Sequence, residues 1–468
     1  MMNLVEVAES SPRVLETRVL EELFQGLSAR SISFAVLRNY ERLPESLGAR
    51  DLDLIVEPAH LPAAVGVVRT IAESNELQFA NYFRDERLTQ FTLFKRLSPS
   101  AIFEIKIDFF TSSQVYGIEA LSASQMLEDA CDHRGIPVVS DAVKLLDKWL
   151  FHLMVGKPLH AKYDKAFAAI ASDENAKAII SSKLCLLFDQ GLAAMQIARL
   201  AAGQGSKLLP LSRRVRFMAI ARLWRAQGFS AFVRTLGFLF FRLRDRLRPA
   251  GSFLSVSGPD GCGKTTVIDK IKVQLECVFG EQSVAYRHFR PSILPRIASI
   301  AKSAKAIDRI DENYGEPHRA MPSGFVGSLA RSAYYWIDYQ IGYFRETHEK
   351  LTRREVMLFD RYIFDMVADP GRSRISLPNW ILRVIAYLTI RPKYAFFIRV
   401  PAAVVRERKQ ELSLDAIEIL NGRYQDLADR KLLIAVDNVS DAETSAATIV
   451  DMIVADRDRL ARRKIENF

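Results

Sequence analysis

Residues 258 to 266 read Gly258-Pro259-Asp260-Gly261-Cys262-Gly263-Lys264-Thr265-Thr266, placing three glycines, a lysine and two hydroxyls in one short stretch. Glycines so spaced let the backbone curl until successive N–H groups face a common point, where a Cβ would intrude. That arrangement holds phosphate. The amides cradle phosphoryl oxygens, Lys264 reaches the β- and γ-phosphates of a nucleotide such as ATP, and the Thr265 hydroxyl helps hold Mg²⁺. The stretch is a P-loop in the context it requires, with the apolar run Phe253 to Ser257 before it and a helix-like pattern from Val267 to Val278 after it. The helix N-terminus adds unpaired N–H groups and its dipole to the anion site. Cys262 reads as a small side chain beside backbone donors, with redox sensing as the alternative.

A phosphate cradle alone does not separate a kinase from other phosphate binders. Downstream, Val356-Met-Leu-Phe-Asp360 is an apolar strand ending in a carboxylate, which puts Asp360 at the sheet edge beside the metal. Arg361 follows and can clamp an acceptor phosphate with two prongs, unless it is simply a surface arginine. After the run Tyr394 to Val400, a helix delivers Arg406, Arg408 and Lys409, cations able to close over a transferring phosphoryl group, or else a solvated helix face. A second constellation lies far upstream. Asp51 and Asp53 share one face of the strand Asp51 to Val56, and Asp108 lies on the run Ile102 to Phe110. Three converging acids suit divalent metals in nucleotidyl transfer; a half-exposed strand with solvated acids is the plainer reading.

From about residue 252 to 455 the chain resembles the thymidylate kinase family of nucleoside monophosphate kinases. The resemblance rests on the P-loop with Asp260, the triplet Asp360-Arg361-Tyr362, the arginine-bearing helix and the ending Val436-Asp437-Asn438. It implies ATP phosphates on Gly261 to Thr266 with Gly258 opening the loop, acceptor contact by Asp260, acceptor phosphate on Arg361, and lid catalysis by Arg406 or Arg408. The acceptor side departs from the family: Tyr286-Arg287-His288-Phe289-Arg290-Pro291, Asp338-Tyr339 within an aromatic stretch, and Asp365 to Arg372 stand where other residues are expected. In this it is similar to thymidylate kinase-like proteins of bacterial surface-polysaccharide loci. The expected function is therefore ATP- and Mg²⁺-dependent phosphoryl transfer to dTMP or a related phosphorylated acceptor. A sugar or glycan-precursor kinase and a membrane-associated regulatory ATPase stay open. Residues 20 to 170 resemble the polymerase-β-like nucleotidyltransferases, although Leu37-Arg38-Asn39-Tyr40 replaces the usual Gly-Ser pair, and a degenerate binding domain is the alternative.

The elements that must position these residues follow from pattern and length. The 468 residues suffice for two or three domains. Residues 1–170 alternate β-rich runs with helices and are expected to form an α+β nucleotidyltransferase-like domain. Residues 171–249 read as a basic helical linker. Residues 250–468 alternate strands and helices, the α/β pattern of a P-loop parallel sheet flanked by helices. The four scattered cysteines form no metal or disulfide pattern, the opening residues lack a secretory signal, and no long apolar run occurs, so a cytoplasmic protein is expected. The net charge of +10 lies entirely between Lys207 and Arg248, where eleven cations face one acid, Asp245. Interleaved aromatics suit an anionic membrane surface and a peripheral location at its inner face, or a linker helix packed on its neighbour. No recognition motif supports nucleic acid as a partner; the sequence is compatible with a homodimer.

Overall fold

The computed structural model describes residues 11–157, 159–206, 213–288, 324–410, 413–439 and 441–468. The chain forms two compact units: Met1–Leu97, Phe103–Leu243 and Val454–Phe468 make the first, Ser98–Ile102 and Arg244–Ile453 the second.

In the first unit, β1 (Phe34–Val36), β2 (Asp51–Val56), β3 (Gln78–Arg84), β4 (Leu88–Arg96), β5 (Ile102–Phe110), β8 (Cys131–His133) and β9 (Ile136–Val138) form one sheet. Its order is β3-β4-β5-β2-β1-β9-β8, and β6 (Ser112–Val115) pairs with β7 (Ile118–Ser122) as a separate hairpin. Strands β2 and β5 run parallel with Asp53 opposite Asp108. Helix Pro12–Ala29 begins at Ser11, whose hydroxyl accepts from the Val14 amide as an N-cap, and it buries Val19, Leu20 and Leu23 in the core beneath this sheet. Ala461 and Ile465, from the end of helix Ala442–Ile465, fill the same core. Helices Asp141–Val155, Glu174–Leu184, Gln190–Ala201 and Arg213–Gln227 build a second core around Leu146, Trp149, Ile180, Leu200 and Leu223, so the stretch expected as a linker packs within this unit.

The second unit holds β10 (Ser252–Ser257), β11 (Val284–His288), β12 (Val356–Asp360), β13 (Tyr394–Arg399) and β14 (Ile434–Asp437). All pairs are parallel in the order β11-β12-β10-β13-β14. Every residue of β10 and β12 is buried; β12 is apolar up to Asp360, as burial on both faces favours, while β10 alternates apolar residues with the small serines Ser252, Ser255 and Ser257. Parallel strands end at a common edge, and the register sets Val256 and His288 each beside Asp360 there. The long helix expected around Arg331 to Leu351 begins at Phe325, continues to Gly342 and passes through a π-helical turn, Tyr343–Thr347, into His348–Thr352. Aromatic rings close the core under the site: Tyr362 meets Phe253 edge-on at 5.3 Å and Tyr339 at 4.6 Å, and Phe397 stacks on Tyr424 at 5.0 Å.

Candidate functional site

The loop after β10 turns into helix Lys264–Phe279 through glycines held at positive φ. Gly263 sits at φ 85°, and a Cβ there would come within 2.8 Å of the Asn438 amide nitrogen. That amide belongs to the site: it donates to the Cys262 carbonyl at 2.9 Å, while its oxygen accepts from the Ser445 hydroxyl at 3.0 Å. The segment after β14 thus braces the loop, a role the sequence did not reveal. Lys264 is 7% exposed and donates to the carbonyls of Gly258 and Pro259, both at 2.8 Å. Burial pulls its pKa below the ordinary lysine value. Thr265 and Thr266, in the first turn, are exposed, and Cys262 is fully buried with its thiol pushed up by burial.

Arg361 lies just past β12 at φ 71°, and its amide donates to the Val256 carbonyl at 2.9 Å. Its guanidinium, 2% exposed, spans two carboxylates: one nitrogen donates to Asp365 at 2.9 Å and another to Asp260 of the P-loop. Asp365 is fixed in turn by the Ser257 hydroxyl at 2.6 Å, the Tyr424 hydroxyl at 2.7 Å and the Tyr362 amide at 3.1 Å. The second oxygen of Asp260 takes a guanidinium nitrogen of Arg372, whose own amide donates to Asp369 at 3.2 Å. Burial alone would raise the Asp260 carboxyl, but the charges of Arg361, Arg372 and Lys264 overcome it and hold the group well below the usual carboxylate range. Two arginines therefore converge on one P-loop carboxylate. Sequence reasoning found Arg361 and Asp260; it missed that Arg372 joins them and that Asp365 anchors the assembly. The spacing of Arg361 and Asp365, four residues apart at a helix start, is the signal that was there to use.

Asp360, at the end of β12, accepts on one oxygen from the Tyr286 hydroxyl at 3.3 Å and meets His288 Nδ1 at 2.9 Å. Its other oxygen is buried without a hydrogen-bond partner. Burial foremost, with the Asp360 charge beside it, pushes the Tyr286 hydroxyl up to about 12. On helix Ala402–Arg408, Arg406 and Arg408 are exposed and have no side-chain partner among the described residues. Arg408 reaches the loop: one of its nitrogens lies 3.5 Å from the point a Cβ on Gly263 would occupy. Phe289, Arg290 and Pro291, singled out on the acceptor side, lie outside the described residues.

In the first unit, one carboxylate oxygen from each of Asp51, Asp53 and Asp108 lies within 4.8 Å of the others. Cations already stand among them. Lys106 Nζ is 3.3 Å from both Asp51 and Asp108, and Arg38, from the segment that replaces the Gly-Ser pair, pairs with Asp53. One oxygen of Asp53 and one of Asp108 remain buried and unpartnered. Burial, with the Asp53 charge adding and Lys106 opposing, raises the Asp108 carboxyl to about 6; burial likewise raises neighbouring Glu104 to about 7 against Arg50. In the folded protein these acids keep a proton that the unfolded chain releases near 3.8 and 4.5, so folding takes up protons in that window. Stability of the first unit is expected to fall as pH rises from about 4.5 to 7, Glu104 alone contributing up to about 3 kcal/mol. Urea unfolding across that range should show the slope, and Glu104→Gln should flatten it.

No protein family's sequence profile matches the chain. Over 183 residues, 38% of this chain and 78% of the relative, it is 23% identical to a thymidylate kinase of Levilactobacillus brevis. Solved structures of thymidylate kinases from Ehrlichia chaffeensis and Candida albicans align with 44% and 45% of the chain, covering 100% and 93% of their own. Their identities are 16% and 13% and their TM-scores 0.31 and 0.32. The sequence likeness supports a thymidylate kinase-like fold over about two-fifths of the chain and suggests a nucleotide kinase.

Proposed function

We propose that the second unit transfers the γ-phosphoryl group of ATP to a phosphorylated acceptor of the nucleoside monophosphate type, dTMP or a related compound. The observation that supports this reading is the convergence of Arg361 and Arg372 on the carboxylate of Asp260, which brings two guanidiniums to the loop Gly258 to Thr266. Lys264 leaves its loop carbonyls to meet the β- and γ-phosphates, and the loop amides hold them. Arg361, fixed by Asp365, takes the acceptor phosphate with Arg372 beside it. Arg406 and Arg408 close from the exposed helix over the transferring group. The residues present fit Mg²⁺: the unpartnered buried oxygen of Asp360 and the exposed Thr265 hydroxyl offer oxygen ligands of the kind it takes. When bound, Mg²⁺ neutralises charge on the phosphates. A phosphate acceptor requires no general base, because positioning and charge neutralisation carry the transfer.

The test incubates the full chain with Mg²⁺ and γ-labelled ATP against dTMP, other nucleoside monophosphates, sugar phosphates and no acceptor. Label in dTMP or another nucleotide supports the reading. Label only in a sugar phosphate moves the function to glycan-precursor metabolism, and label only in free phosphate makes the unit an ATPase. On the same assay Arg372→Ala is expected to raise the acceptor KM by about tenfold or more, the effect of losing one charge-assisted contact, while the KM for ATP stays within twofold. Equal changes in both would take Arg372 away from the acceptor.

For the first unit we propose a separate, metal-dependent nucleotidyl transfer, supported by the convergence of Asp51, Asp53 and Asp108 with two unpartnered buried oxygens. Lys106 must yield its place to a divalent cation for this to proceed. The double change Asp51→Ala with Asp53→Ala should abolish the transfer and leave phosphoryl transfer intact. Absence of Mn²⁺ or Mg²⁺ binding by the full chain, followed calorimetrically, would remove this second activity.

A further inference from the structure

Helix Phe229–Leu247 packs on the first unit by only one side. Phe238 meets Tyr116 at 5.8 Å, Phe241 meets Phe83 at 5.5 Å, Ala231 is fully buried, and Arg234 donates to the Gly117 carbonyl at 3.3 Å. The opposite side is also apolar. Phe229, Phe232, Leu236, Leu239, Phe240 and Leu243 are between 45% and 79% exposed. At 3.6 residues per turn they fall within an arc of about 100°, a continuous stripe roughly 20 Å long. Monomeric soluble proteins rarely expose such a stripe, and one this regular marks a contact surface.

The charge around the stripe identifies what the surface meets. On the same helical wheel Arg244 and Arg246 fall just outside the arc on its two sides, and both are exposed. Exposed Arg222, Arg225 and Arg242 extend the cationic surroundings, while the only acid of the segment, Asp245, is half-buried and lies 3.8 Å from Arg354. The segment from Lys207 to Arg248 holds the entire net charge of +10. Two copies pairing through this face would bring like charges together, whereas anionic headgroups would neutralise them as the aromatic and leucine side chains enter the interface. No helix among the described residues is long and apolar enough to cross a membrane, so the contact lies in the interfacial plane. We propose that this helix docks the protein, flat, on an anionic phospholipid bilayer surface.

The experiment sediments full-length protein with vesicles of phosphatidylcholine containing about 30% phosphatidylglycerol, and with vesicles of phosphatidylcholine alone. Partition is expected to favour the anionic vesicles by about tenfold or more and to weaken in high salt. Leu236→Glu combined with Phe240→Glu changes only exposed side chains and should lower that partition by at least about tenfold with circular dichroism unchanged. Arg242→Glu with Arg246→Glu should abolish the preference for anionic lipid. Equal partition into both vesicles, binding untouched by the Leu236 and Phe240 changes, or no binding at all would overturn the proposal. So would a concentration-dependent dimer in light scattering, disrupted by those changes, in protein that ignores vesicles: a second copy would then be what covers the stripe.

Discussion

Lys264→Ala should lower kcat for phosphoryl transfer by about 10³-fold while leaving the unliganded protein folded, its unfolding midpoint within a few degrees of the parent. The asymmetry follows from the lysine's surroundings. Without nucleotide, its ammonium sits 7% exposed on the carbonyls of Gly258 and Pro259, in a place that lowers its affinity for a proton. Removing it takes away a desolvated charge as well as two hydrogen bonds, so the two effects on stability largely offset. With the γ-phosphoryl group in flight, no other described cation of the loop can take its place. The measurement is kcat with saturating ATP and acceptor beside a thermal melt. Turnover within tenfold of the parent would remove Lys264 from the chemistry; a collapsed melt would make it a structural residue.

Asp365→Ala should cost about 3–5 kcal/mol of folding free energy, read from urea unfolding, because it leaves the guanidinium of Arg361 buried with one anion instead of two. It also strips the partner from the Ser257 and Tyr424 hydroxyls, which lie in the interior with Asp365. Burial foremost holds the Tyr424 hydroxyl protonated far above its ordinary range, so it serves as a donor to Asp365 at any working pH. Asp365→Asn keeps an acceptor of the same shape and should cost less, while still raising the acceptor KM because Arg361 loses its fixed direction. Changing both partners, Arg361→Met with Asp365→Leu, should recover much of the stability and none of the activity. A loss under about 1 kcal/mol for Asp365→Ala would mean that the pair is not the buried anchor its geometry describes.

How far the sequence discloses this molecule depends on whether the deciding contact is local. The conformation of the loop Gly258 to Lys264 is legible because its glycines act locally, each at positive φ between β10 and the helix that follows. Strands β12 and β13 are legible because burial on both faces favours near-continuous apolar runs, Val356 to Phe359 and Tyr394 to Ile398. Asp53 and Asp108 could be brought together because each lies on a strand with period-two geometry, and the register sets them side by side. Arg372 was not legible as a partner of Asp260: 112 residues separate them, and nothing in Asp369-Pro-Gly-Arg372 announces a destination. Strand β3, Gln78–Arg84, escaped because its polar residues Gln78, Asn81 and Arg84 blur the alternation. Helix Ala442–Ile465 shows an apolar periodicity that cannot say which core receives it; its last turns, with Ala461 and Ile465, belong to the first unit. The helix from Phe229 shows the same limit from the other side, since its pattern predicts an amphipathic helix and not that its apolar stripe stays outside.

Asp260 also sets the terms on which any anion reaches the two arginines. The carboxylate is tethered to the loop and grips both guanidiniums, so an incoming ligand meets a competitor whose effective concentration is on the order of millimolar or higher. A singly charged ion with one good contact cannot outbid it, and a dianion that spans Arg361 and Arg372 together can. On the function proposed above, the grip of Asp260 on both guanidiniums would make the site select its anion by valence and bite.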